Sequence, residues 1–400
     1  MSSSAPTASA NWWSLTPWLL FFCTVFGDSA VAFALIPIPR SYLFILGSFA
    51  IIAIQAKSGW INHKAWVLSL FLMALAFFPA VYWPEPHFFL FPIYFILSIL
   101  IVSILDRASI GRYVDILSWL AVIILIGAFI GTLYAYFGGS ALYTFANEDG
   151  RTNQLFLTTL TNFQVGNLIR PSGISDEPGA LSFWLCCTAA MRHHLGRDKR
   201  LTWVILIAGF ITFSVAHMLF VAFYTLETLK QYRLTIRSIV IVVAVATGIF
   251  LIFYFVPAFQ DMFSFLFLDR LGDRNLGEDR SGAMQHAYSY LNESSFFYGI
   301  DPECATGAAN CMERGYKLFG ENPLALLTKW GIFTALPYYL VMIYGLIKAI
   351  PRANFVLLGV LMLLLQRPNT MSVCYSLLIL VTIFVVAGRS ARDDVPARNP

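Results

Sequence analysis

An all-α, polytopic membrane fold of about twelve helices is what this sequence predicts, and three observations predict it. Hydrophobic residues fill 58% of its 400 positions and charged ones only 12%, about half the charge of an average soluble domain. Apolar runs close to the ~20 residues that cross a bilayer recur from end to end. Basic residues gather on alternate connections, as they do in short cytoplasmic segments. No single soluble core could bury so much apolar surface, so lipid is the expected solvent. A backbone in lipid must satisfy its own hydrogen bonds, and the alternation of a membrane barrel is absent, so the spans are expected to be helices.

The runs fall near 16–37, 41–56, 65–83, 87–105, 114–137, 177–193, 201–214, 216–229, 236–256, 322–346, 351–366 and 371–388. The opening "MSSSAPTASANWW" has no basic residue before the first run. It lacks the charged start of a cleaved signal peptide, and the first span is expected to stay. There is no internal repeat, heptad pattern or low-complexity tract, so residues 1–400 read as one integral membrane domain. The net charge of +4 is modest and predicts no nucleic-acid partner.

The stretch 201–229 reads either as one long helix or as two short ones meeting near Ala216 and His217. Basic residues decide. With two helices, one side collects sixteen in short segments: Lys57 and Lys64, Arg107 and Arg112, the group from Arg192 to Arg200, Lys230 to Arg237, Lys348 and Arg352, and Arg389 to Arg398. The other side collects two, Arg40 and Arg367. With one helix the count evens out. The asymmetric solution puts both termini in the cytoplasm. It also puts two long loops, 138–176 and 257–321, on the opposite face, and loops this long are usually functional.

The first loop ends in "RPSGISDEPGALSF", residues 170–183. Pro178 suits the first turn of a helix, and Ser175, Asp176 and Glu177 suit its cap, with Arg170 resting among headgroups. Yet Arg170, Gly173 and Glu177 cluster more tightly than a cap needs. An arginine beside a carboxylate at a membrane lip fits a lipid-phosphate site with a nearby base.

The second loop carries ten acids against five bases. Arg270 and Arg274 read most simply as members of a solvated, salt-bridged loop. Arg280 differs, because it opens a helix-like run, 280–292, that contains His286 and leads to "SSFFYGID". Arg170 and Arg280 together would offset the charge of a pyrophosphate. The loop closes with "GENPLALLTKWGIF". There Glu321 and Asn322 stand at a helix mouth, Pro323 starts the helix, and Lys329 either snorkels outward or faces a polar cavity.

Cys304 and Cys311 are expected to form a disulfide if the loop is exported. Cys23, Cys186, Cys187 and Cys374 are expected to be buried, and His193 and His194 solvated. No Cys/His spacing indicates a metal, and no glycine-rich phosphate loop indicates nucleotide chemistry.

These segments resemble a family. "RPSGISDEP" is similar to the R-x-x-G-x-x-x-E-P segment of bacterial O-antigen polymerases (the Wzy family). The run from Arg280 through "AMQHAYSYLNESSFFYGID" resembles that family's second arginine, helix and F-G-x-G turn, with Asp301 in place of the second glycine. "ENPLALLTKWG" resembles the H-N-…-G segment shared by O-antigen polymerases and ligases. It keeps Asn322 and Gly331 and has Glu321 at the histidine position. The Glu177–Pro178 pair favours polymerase over ligase, whose segment more often ends in P-N.

The resemblance implies an inverting, metal- and cofactor-independent glycosyltransferase of the C type in the bacterial inner membrane, working on its periplasmic face. It would move a growing glycan from undecaprenyl pyrophosphate onto the next lipid-linked repeat unit. Membrane lipid and a chain-length regulator protein are the implied partners. Arg170, Glu177, Arg280 and Glu321 would be catalytic, with Glu177 pairing Arg170 and Glu321 activating the acceptor. Gly173, Arg274, His286, Asn322 and Lys329 would bind substrate. An O-antigen ligase is the nearest rival. A transporter, with Asp28, Lys329 and Arg367 as its ionisable groups, is the rival from another class.

Overall fold

In the computed structural model the described residues are 15–26, 29–31, 39–55, 63–84, 87–146, 152–165, 167–231, 247, 280–301, 304, 322–368 and 373–388. Helices dominate them. In chain order these are α1 (Leu15–Phe21, running into a π turn to Phe26), α2 (Arg40–Gln55), α3 (His63–Tyr82), α4 (His87–Ile104) and α5 (Arg107–Tyr136). After the first long loop come α6 (Pro178–His194), α7 (Lys199–Ala208, tightened to a 3₁₀ turn through Thr212) and α8 (Val215–Gln231). The second loop contributes α9 (Arg280–Ser289) and α10 (Glu293–Tyr298). The chain then forms α11 (Pro323–Ala349), α12 (Phe355–Gln366) and α13 (Tyr375–Ala387).

Three of these, α3, α5 and α11, are long and apolar enough to cross a membrane. Five further apolar helices are shorter, among them α12 and α13. Each predicted apolar run carries a helix except 236–256, which lies almost wholly outside the described residues.

One expectation holds and one needs correction. The stretch 201–229 breaks into two helices, at Phe213 and Ser214. Phe213 takes a left-handed backbone (φ 48°), which ends the 3₁₀ turn and frees its last carbonyls. The all-α reading fails in the first long loop, which holds five short strands. β1 (Tyr143–Ala146), β2 (Thr152–Phe156) and β3 (Thr159–Thr161) form an antiparallel sheet in that order, and β4 (Gln164–Val165) pairs β5 (Leu168–Ile169).

This β-collar packs on α5 at two glycines. Gly127 lies against the backbone of Thr158, whose hydroxyl donates to the Gly127 carbonyl at 2.6 Å. A side chain at Gly131 would collide with Phe156 and Thr159. Flanking these glycines, α5 presents Trp119, Ile123, Ile126, Ile130 and Leu133, all well exposed, at the i, i+3, i+4 spacing of a single stripe.

Most of the helices share one apolar core, while Ala287 of α9 packs with Ile300, Cys304 and Ala325 in a smaller one. Some of the polar groups buried in the larger core pair with one another, as Thr24 Oγ1 does with the Tyr113 hydroxyl at 2.7 Å.

Polar contacts sort the helix ends into two groups. At one end Lys230 donates to the carbonyls of Arg352 and Ala353, Arg352 to that of Ala387, and Asn354 to that of Val386. Glu227 caps α12 through the Phe355 amide, and Arg197 pairs Asp115 at 2.7 Å. These are ends that the basic-residue count groups together. At the other end the amide of Ala30 donates to Ile174, Arg367 meets Glu177, and Tyr82 reaches Ser294. His194, expected to be solvated, is 9% exposed at the basic end, its Nε2 3.2 Å from the Asn354 amide.

Candidate functional site

The segment 170–179 is a junction at the end opposite the basic rim. The Arg170 amide donates to Phe163 O, and its carbonyl accepts from the Thr161 hydroxyl at 2.7 Å, which fixes the residue beside the β4–β5 hairpin. Its guanidinium lies over the Phe163 ring, 5.2 Å from the centroid. Nε donates to Thr212 O at 3.1 Å and an Nη to Phe213 O at 3.2 Å. Arg170 thus binds the carbonyls freed where α7 breaks, at the negative end of that helix.

Gly173 has a left-handed backbone (φ 64°), and a side chain there would run into Ile124 of α5. Its amide donates to Thr159 Oγ1, and its carbonyl accepts from Leu160. Only glycine meets both conditions.

Pro178 starts α6 as the sequence predicted. Glu177 stands at the cap position in extended backbone (φ −147°), yet its side chain makes no capping hydrogen bond. It instead forms an ion pair with Arg367, at the C-terminal end of α12. The two side chains are 18% and 13% exposed. The expected pairing of Glu177 with Arg170 is therefore corrected: Arg367 takes that place, and the Arg170 guanidinium turns to the α7–α8 break. Gly179 makes room for this, since a Cβ there would stand 2.6 Å from the Arg367 guanidinium.

Below this pair a cavity of about 20 Å³ is lined by residues that include Thr24, Ser175, Trp184 and Tyr375. That is room for one water. The buried Trp184 indole N–H in its wall has no hydrogen-bond partner among the described residues.

The second and third segments interlock. Asn322 caps α11 by accepting from the Ala325 amide at 2.8 Å, and Pro323 follows at the first turn. Gly331 interrupts α11 with φ 71°. Gly299, with φ 82°, ends α10. A side chain at Gly299 would strike the backbone of Lys329, and one at Gly331 the backbone of Phe297 and Gly299. The Ile300 amide donates to Thr328 O, and the Thr328 hydroxyl to the Ala287 carbonyl. The turn after α10 and the helix α9 therefore dock on the first two turns of α11.

Arg280 opens α9. His286 sits half-buried on that helix, and Lys329 half-buried on α11. Glu321 and Arg274 lie outside the described residues. Cys304 is disulfide-bonded, and Cys311, its expected partner, lies outside the described residues. The other four cysteines are buried and free.

The structure thus joins Arg170, Gly173 and Glu177 in one junction, and Gly299, Asn322, Lys329 and Gly331 in another. Both stand at the N-terminal ends of helices whose C-termini reach the basic rim. Arg367 was missed as a site residue because its partner is 190 positions away in sequence. Its signal was present all the same: it is one of only two basic residues in the short segments of the sparsely charged side. Among the described residues no group of three or more His, Cys, Asp or Glu could hold a metal. No protein-family model matches the chain and no curated protein matches it in sequence, so the likeness of its three segments to O-antigen polymerases stands on those residues alone.

Proposed function

We propose that the chain is a polytopic inner-membrane glycosyltransferase that polymerises a lipid-linked glycan. It would have about twelve spans, the basic rim in the cytoplasm, and the junction ends of α6 and α11 toward the periplasm. The observation that carries this reading is the half-buried Glu177–Arg367 pair, with Arg170 in the same 170–179 segment, at the bundle end opposite the basic rim. A buried charge pair is costly to build, and breaking one is strongly destabilising. Two arginines with a carboxylate at the lip of an apolar bundle suit a pyrophosphate, whose developing charge guanidiniums neutralise as it leaves.

In this reading undecaprenyl pyrophosphate bearing the growing glycan is the donor. Arg170, Arg280 and Arg367 offset its charge. Glu177, committed to Arg367, holds the geometry. Glu321, next to the Asn322 cap, takes the proton of the acceptor hydroxyl. Arg274, His286 and Lys329 would contact the glycan or phosphate.

The test is the lipopolysaccharide ladder of a deletion strain. Loss of every band beyond one repeat supports polymerisation. Loss of the first band as well indicates a ligase, and an unchanged ladder defeats the proposal.

A further inference from the structure

The depth of the β-collar carries an inference that deepens this reading and rests on it for the ligand. After Asp115 the helix α5 has no charged residue through Tyr136. Those 21 residues span about 31 Å, the thickness of the hydrocarbon core. Gly127 is close to the middle of that stretch, and Thr158 at the β2–β3 turn donates to its carbonyl. Gly173 sits deeper still, against Ile124, about 18 Å of helix below Tyr136. The collar and the Arg170–Gly173 segment therefore run down beside α5 toward the bilayer centre.

Two helices packed on α6 end low as well. The 12 residues of α12 rise only about 18 Å from the basic rim, and the 13 residues of α13 only about 20 Å. Both are well short of a full crossing.

Strand backbone at that depth is tolerated only inside protein or against water. Among the described residues nothing encloses the collar's outer face. Thr152, Leu157, Thr158, Gln164 and Asn167 are exposed, and Gln154 and Asn162 partly so. The outer edge of β1 has no strand partner among the described residues, and an open edge cannot face lipid tails. From Thr152 to Ile169 the chain carries no charge, and the polar side chains it presents are the hydroxyls of Thr152 and Thr158 and the amides of Gln164 and Asn167, with those of Gln154 and Asn162 partly exposed.

We propose that the collar is the wall of a water-filled recess, open to the side opposite the basic rim and reaching the bilayer midplane, that holds an uncharged, hydroxyl-rich ligand above the Glu177–Arg367 pair. Amides and hydroxyls on an uncharged wall match the donors and acceptors of a glycan. The arginines at the floor match the phosphate end.

Cysteine substitution tests the recess without reference to activity. Thr158→Cys and Ile126→Cys lie at the same depth on α5 and the collar, and both positions are exposed in the protein. A charged, membrane-impermeant thiosulfonate is excluded from hydrocarbon. It should modify Thr158→Cys roughly a hundredfold faster than Ile126→Cys, with the wild type, whose free described cysteines are buried, as the blank. Asn162→Cys should behave like Thr158→Cys and serves if that variant fails to fold. Equal, slow modification of both collar positions and Ile126→Cys would overturn the recess.

The ligand class is tested by protection of Gln154→Cys. Neutral oligosaccharide released by mild acid from the host's polyprenyl-linked lipid should slow its modification severalfold, and pyrophosphate should not. Protection by pyrophosphate alone, or by neither, would overturn the ligand assignment. Fast collar labelling in a protein whose deletion leaves the ladder unchanged would defeat the polymerase reading and leave the recess standing.

Discussion

At the basic end, Arg192 is 3% exposed and donates to Ser118, Thr202 and the carbonyl of Asp198. Around it Asn354, Glu227, Lys230 and Arg352 tie the ends of α6, α8, α12 and α13 to one another. The opposite end carries charged groups of its own. Glu177 meets Arg367 across the mouths of two helices, and Arg170 holds the broken end of α7. The first arrangement uses charge to close helix termini, and its groups are satisfied by backbone and hydroxyls. The second sets charges where helices stop short, beside a polar collar. On the proposed function, arginine serves stability at one end and chemistry at the other, and substitutions should separate the two.

The largest separation is expected from activity. Arg170→Ala and Arg367→Ala should each reduce glycan extension by roughly a hundredfold, about 3 kcal/mol of lost charge stabilisation. Arg367→Lys should recover only part, since a point charge does not reproduce a guanidinium fork. Extension normalised to folded protein is the readout, and full activity in both alanine variants would remove the outer end from the chemistry.

Next come the paired glycines. Gly331→Ala or Gly299→Ala forces a side chain into left-handed backbone and against the facing chain, a cost of about 1–3 kcal/mol each. Melting of detergent-purified protein should fall accordingly for both. Unchanged melting would mean that α10 and α11 do not mate as described.

Arg192→Ala leaves the Ser118 hydroxyl and the Asp198 carbonyl without that donor, and it should lower stability by about 1–3 kcal/mol. Unlike the changes at Arg170 and Arg367, it should leave activity per folded molecule intact. The smallest effect belongs to Lys230→Ala. That exposed side chain donates to two carbonyls, and its loss should shift stability by within about 0.5 kcal/mol. A large activity loss from either variant at constant protein level would erase the contrast between the ends.

Much of this contrast was legible in the sequence, because membrane helices write their positions in composition. The runs from 41–56 through 371–388 coincide with helices wherever residues are described. The choice of two helices in 201–229, made on basic residues alone, matches the break at Phe213. Pro178 and Asn322–Pro323 signalled helix starts correctly through local chemistry that tertiary packing did not override.

The collar was not legible as read, because its strands run two to five residues. Its signal lay in the charge-free, threonine-rich run from Thr152 to Ile169, punctuated by Asn162 and Gly166, the turn residues that bound short strands. The partner of Glu177 was hidden for a different reason. Local spacing put Arg170 nearest in sequence, whereas the fold brings Arg367 from a helix formed 190 residues later. His194 was misjudged because a basic, polar flank reads as solvated, and only the docking of Asn354 buries it.

The most direct measurement is made on purified protein in lipid vesicles supplied with an undecaprenyl-pyrophosphate-linked repeat unit. The account predicts that wild type and Arg192→Ala lengthen the glycan at similar rates per folded molecule, while Arg367→Ala stops at a single repeat. Extension by Arg367→Ala at the wild-type rate, or no extension by the wild type, would contradict it.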